Sequence, residues 1–341
     1  MSQSTVLVTG ATGFLGRHAV TALLEQGYHV RALCRSEQPD LLRLGVDVVY
    51  GDVLDVESLR SAIRGVDFVV HGAGAVSRDA DDSAWLMRVH VTGTRFVVGV
   101  AAESGVKRVV HLSTSGTVAV GVKPDVVFHE DDPVPFSLIH RWPYYLSKWL
   151  AERAAHDALR LTGGSTELVV LNPSLVLGPG DARGSSTTDV QRFLRGEIPI
   201  VPSGGFSFVD VRDVAGAVLA ALHQGRAGER YLLGGLNLTF RDFFTRLSEV
   251  SGQRGPLLPV AVPRTLSRFG VGVLERAARS LGVSLPISEV EADMASCFWY
   301  VDARKAESAL GFCSRDPMQT LLDTVRDLRG DAPRERFVGR G

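Results

Sequence analysis

TGATGFLG, residues 9–16, follows the apolar run TVLVT (5–9) and opens the amphipathic stretch GRHAVTALLEQG (16–27). Three glycines between a strand and a helix allow a tight turn, close approach of backbone to a pyrophosphate, and close helix packing. The first turn of such a helix presents free N–H groups to phosphates. A glycine triplet can be an ordinary turn, but its place in a first strand–helix–strand unit predicts a dinucleotide site. The expected cofactor contacts in this loop are Gly10, Thr12, Gly13, Phe14, Leu15 and Gly16.

Short β-branched runs alternate with helical patterns through the first half of the chain. After TVLVT the candidate strands are HVRAL (29–33), VDVVY (46–50), VDFVVH (66–71), VKRVVHLS (106–113) and ELVVLN (167–172). They are almost continuously apolar, as strands covered on both faces are, and the alternation is typical of a parallel sheet. We therefore predict an α/β fold: a Rossmann-like doubly wound parallel sheet with a smaller, discontinuous C-terminal substrate-binding domain.

The local composition of the sequence changes after Pro173, where a stretch rich in Gly, Ser and Asp begins. The predicted division is a dinucleotide-binding domain at 1–172 with later returns near 206–225 and 296–303, a mainly substrate-binding region at 173–330, and a disordered tail at 331–341.

The composition is that of an ordinary globular protein, with 341 residues, 45% of them hydrophobic, and a formal net charge of −1. A nearly neutral chain has no overall attraction to nucleic acid, and no apolar run approaches the roughly 18 residues of a membrane span. Cys34, Cys297 and Cys313 are too few and too scattered for a disulfide framework or a metal site. The first residues lack a signal-peptide pattern. We expect a cytoplasmic protein that acts on a small molecule, without a metal or a nucleic-acid partner.

The end of the second strand bears on the choice of cofactor. An acid there usually accepts hydrogen bonds from the ribose of NAD(H), but this chain has Cys34 in that place, followed by Arg35. A guanidinium suits a 2′-phosphate, so NADP(H) is favoured. The alternative is a solvated Arg35 with NAD(H) bound.

Two further loops are expected to contact the cofactor. After the third strand, Asp52 is placed to hydrogen-bond the adenine amino group, with Val53 beside it; alternatively, Asp52 is only a loop or helix cap. The small residues Ala73, Gly74 and Ala75 follow the fourth strand, where backbone must lie against the cofactor.

A tyrosine pair lies in the segment WPYYLSKWLAE (142–152). Tyr144 and Lys148 are four residues apart in a helical pattern, so both side chains leave the same face. Tyr145 leaves a different face and is expected to be a packing residue. A phenol with a pKa of about 10 is a poor catalyst at neutral pH, and a nearby ammonium lowers that pKa. A hydroxyl group in HLSTSGT (111–117), at the end of the fifth strand, would hold a substrate oxygen beside the phenol.

Together these motifs resemble the extended short-chain dehydrogenase/reductase family, of the NAD-dependent epimerase/dehydratase type. The segments that carry the resemblance are TGATGFLG, GDVLD, HVTGT (90–94), HLSTSGT, YYLSK, LNPSLVLGPGD (171–181), FVDVRDVA (208–215) and YVDARKAESALGF (300–312). The chain looks most like the dihydroflavonol-reductase and 3β-hydroxysteroid-dehydrogenase branch. The resemblance implies a Ser/Thr–Tyr–Lys triad, hydride transfer at C4 of a nicotinamide, and a homodimer built on two long helices.

Carried onto this chain, the family's triad falls on Thr114, Tyr144 and Lys148, with Ser115 as the fallback for the hydroxyl member. Asn172 and Pro173 match the segment that passes along the nicotinamide, although they can also be a plain strand-end turn.

Two positions depart from the family pattern. Sugar-nucleotide 4,6-dehydratases have an Asp-Glu pair where this chain has Ser115 and Gly116, so that elimination chemistry is not expected. His90 replaces an asparagine that positions the lysine through water; it could take that role, relay protons near neutral pH, or simply pack. Glu152, one turn beyond Lys148, is expected to be a solvated surface residue, with an ion pair to Lys148 as the alternative.

The substrate pocket of the family comes from the loop after the fourth strand, the loop before the tyrosine helix, and the C-terminal region. The predicted substrate contacts are Trp85, His140, Trp142 and Ser174. The stretch at 262–287 reads as amphipathic helices that pack on the core, cover a lipophilic substrate or contact a membrane surface peripherally. Arg183, Arg192 and Arg195 could hold a sugar-nucleotide diphosphate, but the aromatic residues around the predicted mouth favour a non-nucleotide ketone or alcohol.

The leading hypothesis is NAD(P)H-dependent reduction of a ketone on a fairly apolar small molecule, or the reverse oxidation of an alcohol. The alternative is an NAD(P)-dependent sugar epimerase, which keeps its cofactor bound through the cycle. A third is a non-catalytic dinucleotide sensor, although such proteins typically lose the tyrosine and lysine that this chain retains.

Overall fold

The computed structural model of the protein describes residues 3–198, 201–255 and 289–331. Its strands are β1 (Thr5–Thr9), β2 (His29–Cys34), β3 (Asp47–Tyr50), β4 (Phe68–His71), β5 (Arg108–Leu112), β6 (Glu167–Pro173), β7 (Leu175–Leu177), β8 (Gly205–Asp210), β9 (Arg230–Leu233), β10 (Leu236–Thr239) and β11 (Phe298–Trp299). Seven of them form a parallel sheet in the order β3-β2-β1-β4-β5-β6-β9. All six strands expected from the sequence are in this sheet.

The helices are α1 (Phe14–Glu25), α2 (Pro39–Arg43), α3 (Val56–Ile63), α4 (Ser83–Leu86), α5 (Gly93–Glu103), α6 (Phe136–Ile139), α7 (Pro143–Thr162), α8 (Thr188–Leu194), α9 (Val211–Ala221), α10 (Phe240–Ser251), α11 (Glu289–Ala295), α12 (Arg304–Leu310) and α13 (Pro317–Arg329). A π-helical turn (Met87–Thr92) joins α4 to α5, and a 3₁₀ turn (Ser115–Thr117) follows β5.

Helices cover both faces of the main sheet because successive side chains of each strand point to opposite sides. On β1, Val6 and Val8 pack in one core with Val218 of α9, whereas Leu7 packs in a second core with Val97 of α5. All five side chains are essentially inaccessible to solvent, and each such burial stabilises the fold by roughly 1.5–3 kcal/mol. The doubly wound α/β fold predicted from the sequence is confirmed.

A smaller sheet is built around β8, which pairs with β10 antiparallel and with β7 and β11 parallel. Its core is aromatic: Phe206 and Phe208 of β8 pack against Phe243 of α10. The chain returns to the main sheet at β9, a strand that the sequence patterns did not reveal. The predicted domain boundaries stay a prediction.

Two predicted segments fall outside the described residues: the amphipathic stretch at 262–287, and the tail beyond Asp331. Within the described ranges, no helix is both long and apolar enough to cross a membrane.

Candidate active site

The carboxyl ends of four neighbouring strands form one edge of the main sheet. Thr9 of β1 is level with His71 of β4, His71 with His111 of β5, and Leu112 with Leu171 of β6. Ligands of open α/β sheets bind in the crevice outside this edge. The glycine loop, the small residues after β4 and the hydroxyl candidates after β5 therefore meet at one place.

The glycine loop leads directly into α1. Gly10 has a φ of 77°, which other residues rarely adopt, and a Cβ there would lie 2.5 Å from the Gly72 carbonyl oxygen. A Cβ at Gly16 would lie 2.0 Å from the Gly10 carbonyl oxygen, so no side chain fits between the helix and the loop. Gly13 caps α1 without a side-chain hydrogen bond, and the first turn has no acid. The backbone N–H groups of the first turn of α1 are therefore available to bind an anion, and a dinucleotide pyrophosphate is such an anion. The other predicted loop contacts, all partly exposed, are Thr12, Phe14 and Leu15.

The residues expected at the adenosine end follow β2 and β3. Cys34 is buried, whereas Arg35 is exposed and forms no hydrogen bond or ion pair with any residue that the structure describes. Asp52 is partly exposed, and one of its carboxylate oxygens accepts the Leu54 N–H at 2.9 Å. Val53 is 9% exposed. Arg35 thus has a free side chain for a phosphate, while Asp52 also shapes its own loop.

His90, in the π-helical turn, joins the loop after β4 to α7. It is 1% exposed, and its Nε2 accepts the Ala75 N–H at 3.0 Å. Its Nδ1 lies 2.8 Å from the Ser147 hydroxyl, which itself donates to the Tyr144 carbonyl oxygen at 2.8 Å. Because a hydroxyl has one proton to donate, the imidazole must donate from Nδ1 and is neutral.

Burial, and then the charge of Lys148, lower the pKa of His90 to about 3. This pKa argues against a proton relay that titrates near neutral pH. Instead His90 holds the backbone of the loop after β4, where the Ala73 N–H also donates to Thr9 Oγ1 at 3.2 Å. A Cβ at Gly74 would lie 3.0 Å from the His90 ring. The predicted cofactor-contacting loop is therefore fixed at both ends.

Both members of the predicted tyrosine–lysine pair lie on α7, which begins at Pro143. Lys148 is 7% exposed, and its ammonium donates to the Leu112 carbonyl oxygen at 2.6 Å. Tyr144 is partly exposed, one turn earlier on the same helix face. The ammonium is thereby anchored at the end of β5, beside the hydroxyl candidates.

Burial dominates the titration of both groups. It lowers the pKa of Lys148 to about 8, although the charge of Glu152 opposes this shift. It raises the pKa of Tyr144, with a smaller contribution from Tyr145. The lowered phenol pKa expected in the complex with oxidised, positively charged nicotinamide stays a prediction. Tyr144 is a protonated phenol at neutral pH and can donate a proton to a substrate oxygen.

The three hydroxyl groups that follow β5 have different partners. Ser113 donates to the buried Glu152 carboxylate. Thr114 is partly exposed, and its Oγ1 accepts the Gly116 N–H at 3.4 Å. Ser115 is 5% exposed, and its hydroxyl has no hydrogen-bond partner in the described parts of the chain. Thr114 and Ser115 both stay candidates for the hydroxyl member, whereas Ser113 is already engaged.

Glu152 is 1% exposed, so the expectation of a solvated surface residue is wrong. It pairs with Arg230 of β9 at 3.0 Å and not with Lys148, which was the alternative. Position 152 follows Lys148 by four residues and therefore shares its inward face. That spacing is the signal that could have revealed the burial.

Two buried polar atoms at the end of β6 have no hydrogen-bond partner: Asn172 Oδ1 and Ser174 Oγ. An unpaired buried polar atom is costly, and these flank Pro173, the residue expected beside the nicotinamide. Both can bond to a polar group bound there. Together with the open N–H groups of α1, they make the described residues a fit for a nicotinamide dinucleotide.

Aromatic rings cluster beside the tyrosine pair. The Tyr145 ring lies 5.1 Å from that of Tyr144 and 4.7 Å from that of Trp299 on β11, centroid to centroid. A Cβ at Gly116 would lie 2.2 Å from the Tyr145 ring and 2.9 Å from the Trp299 ring. The cluster therefore flanks the hydroxyl loop. Sequence reasoning missed Trp299, because no local pattern connects it with residues so far away in the chain.

The predicted substrate contacts lie at different depths. Trp142 is 1% exposed and donates its indole N–H to Asp293 at 3.2 Å. Its ring packs against those of Tyr145 and Trp299. Trp85 is 45% exposed on α4. His140 is exposed after α6 and stacks on Phe136. A role for these residues in substrate binding stays a prediction.

Two guanidinium groups of the described residues, on the loop after β4 and just before α7, are paired with acids. Arg78, in the loop after β4, lies 3.0 Å from Asp189 of α8 and 3.4 Å from Glu291 of α11. Arg141 lies 3.0 Å from Asp293. Sequence reasoning did not single out Arg78. Burial raises the pKa of Tyr145 to about 12, and the charge of Arg78 opposes that shift.

Known proteins are similar to this chain in sequence and in fold. Residues 6–234 match the model of the NAD dependent epimerase/dehydratase family. The chain is 36% identical over 330 residues to the putative dihydroflavonol 4-reductase of Synechocystis sp., covering 93% of this chain and 92% of that protein. It is 37% identical over 275 residues to sterol demethylase protein B of Methylococcus capsulatus, covering 80% of this chain and 81% of that protein. The crystal structure of gox2253 is 29% identical with a TM-score of 0.82, and the match covers 96% of this chain and 98% of that one. This chain belongs to the NAD dependent epimerase/dehydratase family.

Proposed function

We propose that this protein reduces the carbonyl of an apolar small molecule with NAD(P)H, or oxidises the corresponding alcohol. The observation that carries the proposal is the anchored Lys148, which shares a face of α7 with Tyr144 and bonds to the end of β5 at 2.6 Å. When bound, the reduced nicotinamide supplies the hydride. The chain's own residues hold the carbonyl and supply the proton.

The roles follow from the surroundings of each side chain. Tyr144, protonated at neutral pH, delivers its proton to the carbonyl oxygen, and Thr114 or Ser115 donates a hydrogen bond to that oxygen. Lys148 binds the nicotinamide ribose and stabilises the phenolate left on Tyr144. Its position at the Leu112 carbonyl keeps the ammonium in place before and after the proton transfer.

Two arginines of the described residues are not available to a sugar-nucleotide diphosphate. Arg78 and Arg141 are each paired with carboxylates, so neither is free for a diphosphate. The rings of Tyr145 and Trp299 offer an aromatic wall beside Tyr144. Two relatives are named a dihydroflavonol reductase and a sterol demethylase protein, and both names refer to ring compounds.

Coenzyme turnover separates this proposal from the epimerase alternative. Purified protein is incubated with NADPH or NADH and a panel of cyclic and aromatic ketones, and coenzyme absorbance is followed. The proposal expects steady, ketone-dependent consumption. Conversion of a UDP-sugar with retained cofactor and no net consumption would instead support the epimerase.

We also propose NADP(H) as the preferred coenzyme. The exposed Arg35 directly follows β2, and the acid that would bind the ribose of NAD(H) is replaced by the buried Cys34.

A further inference from the structure

Glu152 is a buried acid outside the proposed triad, and its contacts reach three of the segments that form the active site. Building on the proposed function, we propose that Glu152 is a positioning residue, whose single carboxylate holds α7, the hydroxyl loop after β5 and the end of β6 in one arrangement.

The contacts of Glu152 lie on both carboxylate oxygens. Oε1 accepts from the Ser113 hydroxyl and from the Asn172 amide at 2.8 Å. It also lies 3.0 Å from the Thr117 hydroxyl, whose one proton it shares with the Thr114 carbonyl oxygen. Oε2 lies 3.0 Å from the Arg230 guanidinium. A carboxylate with several donors is a strong, directional acceptor, so these segments cannot shift independently of α7.

The link to the reacting groups passes through Asn172. Its amide nitrogen also lies 3.0 Å from the Thr114 carbonyl oxygen and 3.1 Å from the Thr117 hydroxyl, so its two protons are shared among these acceptors and Glu152. Glu152 therefore fixes the backbone at Thr114, one of the two candidates that would hold the substrate oxygen. Errors of about 1 Å in such positions can cost 10²-fold in rate.

Glu152 and Lys148 also dock α7 on consecutive residues at the end of β5. Lys148 bonds to the Leu112 carbonyl, and Glu152 accepts from Ser113. The negative charge of Glu152 favours the ammonium form of Lys148. The other titratable groups that face these two residues are His71, His90, His111, His156, Tyr144 and Arg230. The four histidines have lowered pKa values, and the carboxylate in this set is that of Glu152, in its ion pair with Arg230.

The test compares Glu152→Gln with Asp157→Asn, which removes an exposed acid from the same helix. Thermal unfolding, NADPH affinity, and kcat and KM for ketone reduction are measured for each. In Glu152→Gln we expect kcat to fall at least about tenfold, while NADPH affinity changes less than about threefold. We also expect the alkaline limb of kcat/KM to move to lower pH, because Lys148 loses a stabilising charge. Asp157→Asn should match the wild type. Unchanged kcat and an unmoved limb in a folded Glu152→Gln protein would overturn the proposal.

A second variant keeps the test decisive if Glu152→Gln does not fold. Ser113→Ala combined with Thr117→Val removes two donors but leaves the ion pair with Arg230. We expect kcat to fall at least about fivefold with folding retained, and wild-type kcat would overturn the inference. Tyr144→Phe separates the two hypotheses: an active Tyr144→Phe protein refutes the proposed function, whereas an inactive one with a fully active Glu152→Gln protein refutes only this inference.

Discussion

Lys148 is buried, and Glu152, one turn later on α7, is the acid whose charge acts on it. The resulting pKa of Lys148 sets the pH range in which its side chain is an ammonium. Because burial lowers its pKa to about 8, the ammonium form predominates at neutral pH and is lost as the pH rises through that value. Ammonium and phenol together form the acid that reduction requires.

Ketone reduction should therefore lose activity on the alkaline side. We expect kcat/KM, which reports the free enzyme, to decline as the pH passes about 8. Steady-state rates in overlapping buffers from pH 6 to about 10 check this, with protein stability followed in parallel. A profile that stays flat up to pH 9.5, well above the pKa of Lys148, would contradict the assigned role.

Arg35 is the residue that we propose to select the coenzyme. Replacing it by Ala should weaken NADPH binding about tenfold, because one charge-assisted hydrogen bond to the 2′-phosphate is lost, and should leave NADH binding nearly unchanged. Fluorescence titration of both coenzymes measures the ratio. Arg43→Ala, which removes another exposed guanidinium, on α2, is the control. An unchanged NADPH/NADH ratio in Arg35→Ala would refute the phosphate contact.

At the scale of elements, α1 packs closely against the glycine loop because Gly16 has no side chain. Gly16→Ala would place a Cβ 2.0 Å from the Gly10 carbonyl oxygen, so loop and helix must separate. We expect a loss of about 1–3 kcal/mol in unfolding free energy and weakened dinucleotide binding. Gly99→Ala on α5, where a Cβ meets no atom within 4 Å, should be neutral or stabilise by up to about 1 kcal/mol. Chemical denaturation of both variants gives the comparison, and equal stabilities would contradict the close packing.

Elements with a strong local pattern could be predicted from the sequence, and those made by distant contacts could not. Glycine spacing and apolar runs are local, so the glycine loop and β1 to β6 were expected where they lie. β9 was missed because its four residues follow a helix in the substrate half and read as an ordinary apolar stretch. The partners of Glu152 come from residues 113, 117, 172 and 230, and no periodicity shows which segments meet. The contact of Trp299 with Tyr145 could not be predicted for the same reason.

For the whole molecule, the buried histidines near the site make the free energy of unfolding depend on pH in the acid range. Burial lowers the pKa values of His71 and His90 from 6.5 to about 3. Below pH 6.5 these histidines bind protons in the unfolded chain but stay neutral in the folded protein. Stability is therefore complete above that pH and is lost as the pH falls toward 3.

His90→Asn should flatten this dependence. Each such histidine contributes up to roughly 1.4 kcal/mol of unfolding free energy per pH unit between pH 6 and 4, and the variant should lose about that slope. Urea denaturation at several pH values, with wild type alongside, measures it. The same slope in both proteins would show that His90 is not held neutral.

The central claim, that Tyr144 gives the proton, is tested most directly by paired substitutions in the adjacent tyrosines. Tyr144→Phe and Tyr145→Phe each remove one hydroxyl from α7 and keep the ring. With a ketone identified from the panel, single-turnover oxidation of bound NADPH should slow about 10²–10⁴-fold in Tyr144→Phe and stay near the wild-type rate in Tyr145→Phe, with NADPH affinity retained in both. Near-wild-type turnover in Tyr144→Phe would contradict the account.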